Sequence, residues 1–288
     1  MALPGKPHMK QGEYDLRPWK NCMEQHLEDH AWYVKQQMEP VTVQSQDHLK
    51  LHGSYLKCED PKRIVLCVHG FRGDPSHDAA GIARYLHEHQ CDLLLISQRA
   101  SGQSEGNYIT FGAKEKQDVK CWCQYLEAHN PNHLPVYLYG VSMGCTTILC
   151  ASVLGITPLV HGLIADCGYS SIRSILEAQA RSAFHMPPYP ILQIMEWMCI
   201  LFAGFRFSEG DAEATMKQNR IPVLFIHGSE DHFVRKENTL RNYEACAAEK
   251  ELLLVDGASH ANSYTVNEAA CQSCLDAFFR KWDGEEVQ

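Results

Sequence analysis

One short stretch constrains the fold of this chain more than any other. Residues 136–144 read Val-Tyr-Leu-Tyr-Gly-Val-Ser-Met-Gly, a buried-strand pattern that runs into Gly-x-Ser-x-Gly, and an apolar, helix-compatible segment follows. This context is typical of a nucleophile elbow, which exposes a serine hydroxyl on a sharp turn. Side chains at Gly140 or Gly144 are expected to collide with a neighbouring strand or helix. We predict that Ser142 is a nucleophile and that the Met143 amide, at the N-terminus of the new helix, donates to a developing oxyanion.

Strand and helix patterns alternate around this stretch. Apolar runs that suit inner parallel strands occur at residues 63–68, 92–96, 160–165, 222–227 and 251–255. Helical patterns of about a dozen residues separate most of them, so we predict an α/β fold with a doubly wound, mostly parallel central sheet flanked by helices. Residues 40–43 and 50–56 are joined by a polar turn, which predicts an antiparallel hairpin where the sheet begins.

The change of pattern between the middle and the late strands predicts three parts of the chain. Residues 1–39 are interpreted as an N-terminal helical lead-in packed on the core. The core itself is predicted to comprise residues 40–168 and 220–288. Residues 169–219 are predicted to form a small helical cap, inserted before the late strands.

The predicted cap contains a mostly apolar stretch at residues 191–205. This stretch is too short for a membrane span and is interrupted by Gln193 and Glu196, so we predict no stable membrane insertion. A cap over the carboxyl edge of the sheet would line an acyl or aromatic pocket and limit the entry of water. A helix that makes weak lipid contact is the alternative, which the scarcity of Lys and Arg beside the apolar face disfavours.

The loop after the strand at residues 63–68 predicts a second oxyanion donor. It begins His69-Gly70-Phe71, and a strand that leads into a Gly-rich loop is where such a donor is expected. The donor would be the amide of Phe71. Gly70 would let the backbone approach a substrate, and His69 would brace the loop by hydrogen bonding. The same residues would also make a plain turn between strand and helix.

A serine hydroxyl needs a base, and the base needs an acid that orients it. Asp231 follows one late strand and His260 follows the next, so both lie where parallel sheets place their sites. The chain order Ser142, Asp231, His260 is that of a Ser–Asp–His triad on this architecture. We predict that these three residues are catalytic.

Other residues could fill the roles of acid or base. Asp166 also ends a strand and is the alternative acid. Among the other histidines, His227 lies within a strand end and is interpreted as structural. His232 adjoins the predicted acid in sequence instead of facing it. Asp231 and His260 are preferred for these reasons.

Charge and cysteine content narrow the class of protein. The net charge of −9, without a basic run, argues against a nucleic-acid partner. Thirteen cysteines are scattered through the chain, and residues 1–10 carry no apolar signal segment. We therefore expect reduced thiols packed as small hydrophobic groups and a cytoplasmic location.

Two residue pairs have spacings that occur in metal sites. His26 and His30 are four residues apart and could share a helix face, but no third ligand is evident and the Glu of a zinc protease motif is missing. Cys271 and Cys274 lie on a final helix, predicted over about residues 262–282, without a second Cys pair. We interpret the first pair as a solvated face and the second as packing, and we predict no metal site.

The quoted motifs resemble those of the α/β-hydrolase superfamily of serine hydrolases from about Pro40 onward. Residues 99–112 are similar to those of bacterial hydrolases related to serine aminopeptidases and cinnamoyl-type esterases. Those relatives usually carry Arg-Gly-His-Gly or Arg-Ala-His-Gly, whereas Ser101 stands at the His position here. The resemblance implies hydrolysis of carboxylic esters, thioesters or amides without a metal or organic cofactor.

These observations predict a serine esterase that acts on a small-molecule ester and uses no cofactor. Its activity is expected to fall at acid pH, because a protonated His260 cannot accept the serine proton. An amidase or small-peptide peptidase with the same triad is the enzymatic alternative, and Glu177, Glu196 or Arg206 in the cap could bind a substrate amine or carboxylate. A binding protein without turnover is the alternative from another class, and the intact Ser/Asp/His set argues against it.

Overall fold

The computed structural model describes residues 23–283, and its centre is an eight-stranded sheet. The strands are β1 Glu39–Gln44, β2 Lys50–Leu56, β3 Arg63–Val68, β4 Cys91–Ile96, β5 Val136–Val141, β6 Val160–Asp166, β7 Val223–Gly228 and β8 Lys250–Val255. Their spatial order is β1-β2-β4-β3-β5-β6-β7-β8. The pairs β1/β2 and β2/β4 are antiparallel and the others are parallel, as the hairpin and the apolar runs predicted.

The inner strands are mostly apolar because both of their faces are covered. Every residue of β3, β4, β5 and β7 is buried, which is typical of parallel strands between two helical layers. The edge strand β1 instead alternates between exposed and partly buried residues. The carboxyl ends of the parallel strands therefore meet at one edge of a rigid sheet, where the functional loops begin.

Helices cover both faces of the sheet. They are α1 Met23–Tyr33, α2 Pro75–Asp78, α3 Ala80–Glu88, α4 Glu115–His129, α5 Met143–Ala151, α6 Ile172–Ser182, α7 Ile191–Met198, α8 Ala212–Met216, α9 Glu237–Ala245, α10 Ser263–Val266 and α11 Glu268–Trp282. One core cluster contains Trp122 of α4 and Leu149 of α5, and a second contains Leu86 of α3 and Phe278 of α11. All four side chains are almost completely buried.

One helical prediction needs correction. The final helix, predicted as one element over about residues 262–282, is divided into α10 and α11. The Asn267 side chain accepts a hydrogen bond from the Ala270 amide at 3.1 Å, so it caps a new helix at that point. In α1 the apolar Leu27 is exposed, whereas Asp29 is buried against Arg84 of α3. The rest of the predicted lead-in, residues 1–22, lies outside the described residues.

The segment between β6 and β7 consists of short helices. The N-cap of α6 is Ser171, whose hydroxyl accepts from the Ser174 amide at 3.1 Å. Helix α7 continues into a π-helical turn, Cys199–Ala203, which ends at Gly204 with φ of 66°. A 3-10 turn, Phe207–Gly210, and α8 lead back to the sheet.

The outer side of α7 and of the π-helical turn is apolar and faces solvent. We call the following residues the apolar ridge: Ile194, Trp197, Met198, Leu201 and Phe202. Trp197 and Leu201 are the most exposed of them, at 77% and 76%. No helix within residues 23–283 is long and apolar enough to cross a bilayer.

Candidate active site

The loop between β5 and α5 holds Ser142 in a strained conformation. Its φ and ψ are 54° and −115°, which residues other than glycine rarely adopt. A Cβ at Gly140 would lie 2.5 Å from the Gly144 carbonyl oxygen, and one at Gly144 would lie 2.1 Å from the Val68 carbonyl oxygen. Both glycines are therefore required by close backbone contacts, and the turn that they permit is the one expected of a nucleophile elbow.

Ser142, His260 and Asp231 are joined by hydrogen bonds. The Ser142 hydroxyl lies 3.0 Å from His260 Nε2, and His260 Nδ1 lies 2.7 Å from Asp231 Oδ2. The other carboxylate oxygen accepts from the amides of Phe233 and Val234, each at 2.9 Å. Because Asp231 only accepts, His260 Nδ1 carries a proton and Nε2 is free to accept the serine proton. The side chain of Asp231 is fully buried, whereas that of His260 is 21% exposed.

A second histidine contacts the same carboxylate. His227 is buried, and its Nε2 lies 2.8 Å from the Val234 carbonyl oxygen and 3.2 Å from Asp231 Oδ2. Its Nδ1 lies 2.7 Å from the Thr239 hydroxyl. Burial by itself raises the pKa of Asp231, but hydrogen bonds from His227 and His260 outweigh it and hold this pKa well below its usual range. The carboxylate is therefore ionised where it meets His260.

Sequence reasoning interpreted His227 only as structural and missed this contact. The available signal was its spacing of four residues before Asp231, across the turn that follows β7. His232, the other histidine beside the predicted acid, has a side chain that is 78% exposed and lies 3.8 Å from Glu230. His227 therefore contacts the carboxylate of Asp231, whereas His232 lies at the surface beside Glu230.

Asp166, the alternative acid, is buried behind the site. The Tyr139 hydroxyl donates to its Oδ2 at 3.4 Å, and Oδ1 has no hydrogen-bond partner among the described residues. Burial raises the pKa of Asp166 to about 6. Within residues 23–283 it makes no hydrogen bond to His260, so the structure joins His260 to Asp231 instead.

Hydrogen bonds of His69 and Gln98 brace the loop after β3. His69 Nδ1 donates to the Gly70 carbonyl oxygen at 2.8 Å, and Nε2 accepts from the Gln98 amide at 3.0 Å. The Gln98 side chain in turn donates to the His69 carbonyl oxygen at 2.5 Å. Burial lowers the pKa of His69, which favours the neutral ring that this pattern requires. The Gly70 amide donates to Asp78 at 2.6 Å, which ties the loop to α2.

This loop passes directly beside the serine. A Cβ placed on Gly70 would lie 3.3 Å from the Ser142 Cβ, so the loop backbone borders the nucleophile. The amides of Phe71 and Met143 have no hydrogen-bond acceptor within the described part of the chain. Both amides are therefore available to a ligand at this edge of the sheet.

Aromatic and apolar side chains frame the same region. The Phe71 ring stacks on Phe111 at a centroid distance of 5.3 Å, and the Phe233 ring lies 4.9 Å from that of His260. Met143 packs with Phe205 in a small cluster to which the segment between β6 and β7 contributes. A cavity of about 160 Å³ lies elsewhere and is lined by Leu49, Arg99, Asn107, Tyr108, Thr110, Lys114 and Ala203 among others. Ser142 is not among the residues that line this cavity.

One group near the serine has the residue types of a metal site. The ligand atoms of Cys167, Asp231 and His260 all lie within 4.8 Å of one another. However, Asp231 Oδ2 and His260 Nδ1 already share a hydrogen bond, and burial raises the pKa of the Cys167 thiol well above its usual value. A protonated thiol is a poor metal ligand. The hydrogen bond between Asp231 and His260 is therefore sufficient to explain why these residue types lie close together.

Two protein-family models match the chain. The model described as serine aminopeptidase, S33, matches residues 59–186, and the model described as serine hydrolase (FSH1) matches residues 171–261. Among curated proteins, the chain is 26% identical to the uncharacterized protein YqkD of Bacillus subtilis over 223 residues, which are 76% of this chain and 72% of YqkD. It is 23% identical to YfhR of Salmonella typhimurium over 240 residues, which are 79% of this chain and 76% of YfhR.

Solved structures show the same architecture. The esterase Pf2001 of Pyrococcus furiosus superposes with a TM-score of 0.69 at 20% identity, over 88% of this chain and 96% of the esterase. The α/β hydrolase GrgF of Penicillium sp. gives a TM-score of 0.66 at 16% identity, over 85% of this chain and 99% of GrgF. The acylaminoacyl peptidase of Pyrococcus horikoshii gives 0.63 at 15% identity, over 90% of this chain and 44% of the peptidase. These likenesses concern the fold.

Proposed function

We propose that this chain, which is an α/β-hydrolase of the serine hydrolase type, cleaves carboxylic esters by forming an acyl-enzyme on Ser142. One observation carries the proposal. Asp231, His260 and Ser142 form a continuous hydrogen-bonded sequence, with distances of 2.7 Å and 3.0 Å. In nucleophilic catalysis this arrangement supplies a base for the serine and an acid that orients the base.

In the first half-reaction the Ser142 hydroxyl attacks the carbonyl carbon of the ester, and His260 Nε2 takes its proton. Asp231 keeps Nδ1 protonated and stabilises the imidazolium that forms. The amides of Phe71 and Met143 donate to the oxyanion of the tetrahedral intermediate. One such donor is worth about 10²–10³-fold in kcat. The intermediate then collapses, and His260 delivers its proton to the leaving alcohol.

In the second half-reaction the roles repeat with water as the nucleophile. His260 takes a proton from a water molecule, which attacks the acyl carbonyl. The same two amides stabilise the second oxyanion. Collapse returns the proton to Ser142 and releases the carboxylic acid, so that no cofactor enters the cycle.

The surroundings of Ser142 support an apolar acyl or aromatic group in the substrate. Phe71, Phe111 and Phe233 lie at the site, and Phe205 packs beside Met143. In this proposal residues 169–219 act as a cap that contributes one apolar wall. The apolar ridge on the outside of this cap would make weak contact with lipid or with aggregated substrate, because large exposed apolar patches mark interaction sites.

An amidase or small-peptide peptidase is the second candidate. It is favoured by the family model described as serine aminopeptidase and by the likeness to an acylaminoacyl peptidase. Of the cap residues considered for binding a substrate amine, Glu196 accepts from Arg173 at 2.9 Å and Glu177 accepts from the Tyr189 hydroxyl at 2.5 Å. Since both carboxylates already have partners, we prefer the ester. Initial rates on aryl esters and on amino-acid anilides separate the two.

The cysteines support the proposed compartment. All twelve cysteines within residues 23–283 are free thiols, and most are buried. Free thiols in this number persist in a reducing environment. We propose that the protein acts in the cytoplasm.

The first experiment is labelling with a fluorophosphonate probe. We expect the wild-type chain to be labelled and Ser142→Ala to remain unlabelled. The matched control is Ser182→Ala, which removes an exposed hydroxyl on α6 and should label like the wild type. Equal labelling of Ser142→Ala would contradict the role of this serine. A wild-type protein that neither labels nor hydrolyses esters would favour a binding protein without turnover.

A further inference from the structure

The structure adds a third histidine to a pair on α1 that lies outside the proposed site. His26 and His30 are one helical turn apart, so their side chains share a face of α1. His77 of α2 lies against this face. Its ring centroid is 4.7 Å from that of His30 and 6.3 Å from that of His26. This neighbour was not evident from the sequence, because 46 residues lie between His30 and His77 and only the packing of α1 on α2 brings them together.

These separations suit a shared metal ion. With a Zn–N bond of 2.0–2.1 Å, the centroid of a bound imidazole lies about 3.2 Å from the metal, so two rings at a tetrahedral angle have centroids about 5 Å apart. The observed 4.7 Å and 6.3 Å lie on either side of that value. The ligand nitrogens of the three rings do not all lie within 4.8 Å of one another. Binding of one ion by all three residues therefore requires at least one of these side chains to change its rotamer.

Asp74 contacts the His77 ring in a way that would favour binding of a metal ion. Its Oδ2 lies 3.0 Å from His77 Nδ1, while its Oδ1 accepts from the Ser76 amide at 2.8 Å. A histidine that donates its Nδ1 proton to a carboxylate presents Nε2 as a lone pair, which is the usual second partner of a metal-bound histidine.

We propose that His26, His30 and His77 bind a divalent transition-metal ion of the class of Zn²⁺ and Ni²⁺. Three imidazoles are the ligand type that these ions accept, and solvent can complete the coordination. The ion would connect α1 to the segment between Phe71 and Asp78. It would therefore restrain the loop whose Gly70 amide donates to Asp78 and whose Phe71 amide is a proposed oxyanion donor, and this last consequence rests on the proposed function.

Binding of Ni²⁺ to the full-length protein, measured by isothermal titration calorimetry, tests the site without relying on catalysis. We expect one ion per chain. His30→Gln and His77→Gln should each raise the Kd at least tenfold, and Asp74→Asn should raise it about 10–100-fold by removing the carboxylate partner. Asn at position 74 can still cap α2, so this variant addresses the metal site with little effect on folding. The matched control is His129→Gln, an exposed histidine on α4.

His260→Ala distinguishes this site from the group formed by Cys167, Asp231 and His260. If it keeps wild-type Ni²⁺ affinity while His30→Gln and His77→Gln lose it, the three-histidine site is supported. If His260→Ala alone loses binding, or if no variant changes the Kd, the proposal is wrong. A wild-type protein that does not bind Ni²⁺ at millimolar concentration would overturn it as well. Failure of ester hydrolysis would leave the calorimetric result unaffected, so the two proposals fail separately.

Discussion

The carboxyl edge of the sheet and the segment between β6 and β7 use their side chains in opposite ways. At the edge, Asp231 is completely buried, and the protein itself supplies a hydrogen-bond partner to each of its oxygens. In the segment, by contrast, Trp197 and Leu201 are 77% and 76% exposed to solvent. The side chains at the edge are therefore fixed in one geometry by hydrogen bonds, whereas those of the segment form an exposed apolar surface.

The proposed function accounts for this difference. In the proposed mechanism charge develops beside Ser142, and the groups that stabilise it must already be oriented, because reorientation during the reaction would cost free energy. The proposed recognition of an apolar acyl group depends on buried apolar area and needs few directed contacts. We therefore expect changes at the edge to affect kcat strongly and changes in the segment to affect KM moderately. The following predictions test that expectation.

The largest effect is expected for Asp231→Asn. The amide can donate to His260 Nδ1, which would favour the wrong tautomer and leave Nε2 unable to accept the serine proton. We expect kcat for an aryl ester to fall about 10⁴-fold. Steady-state kinetics with circular dichroism as a folding control measure this effect, and a loss below tenfold would exclude Asp231 as the orienting acid.

A large effect on stability is expected for Asp166→Asn. The pKa of Asp166 is about 6 in the folded chain against an ordinary 3.8, so the folded state binds the proton more tightly. This contribution to stability is complete below the unfolded pKa and is lost as the pH rises through about 6. It amounts to about 3 kcal/mol between these limits.

The Asn side chain cannot ionise, so the free energy of unfolding of Asp166→Asn should not decrease in this way as the pH rises through about 6. Urea unfolding at several pH values between 4 and 7 measures how the free energy of unfolding depends on pH. An identical pH dependence for wild type and variant would show that folding does not change the pKa of Asp166. Activity on short esters should change little, because Asp166 makes no hydrogen bond to His260 within the described residues.

An intermediate effect is expected for His227→Phe. The substitution removes a donor 3.2 Å from the buried carboxylate of Asp231. A hydrogen bond to a charged group contributes about 1.5–3 kcal/mol, so we expect kcat to fall roughly ten- to a hundredfold. His232→Phe is the matched control, because His232 is four-fifths exposed and should leave kcat unchanged.

The same variant has a pH signature. The depressed pKa of Asp231 contributes stability that is present above the ordinary carboxyl pKa and is lost as the pH falls through the depressed value. Without His227 this pKa should rise, so His227→Phe should lose that contribution at a higher pH. Acid unfolding curves that coincide with the wild type would mean that His227 does not stabilise the carboxylate.

The smallest effect is expected in the apolar ridge. The double variant Trp197→Ser/Leu201→Ser should raise KM severalfold for long-chain esters and leave short-chain esters unaffected. The control variant Leu27→Ser/Val34→Ser removes apolar groups of about 60% exposure from the N-terminal region. If both double variants behave alike, or if the ridge variant lowers kcat for short esters, the division of roles between the two regions is wrong.

Much of the fold could be predicted from local patterns. The strand runs, the hairpin and the α/β architecture are confirmed, because a parallel sheet buried on both faces leaves continuous apolar runs in the chain. The serine hydrolase resemblance is confirmed by the family models. The helix boundary at Asn267 was missed, because a single capping side chain interrupts an apolar pattern that continues through it. The roles of Ser142, Asp231 and His260 stay predictions until the variants are measured.

By itself, the sequence determined the order of strands along the chain, the turn at Ser142 and the positions of the candidate acid and base after the last two strands. These features depend on local periodicity and on backbone conformation, which neighbouring residues encode. Only the tertiary structure decided that His227 meets Asp231, that Asp166 does not bond to His260, and that His77 lies beside His30. Such contacts depend on how distant elements pack, and no local pattern contains that information.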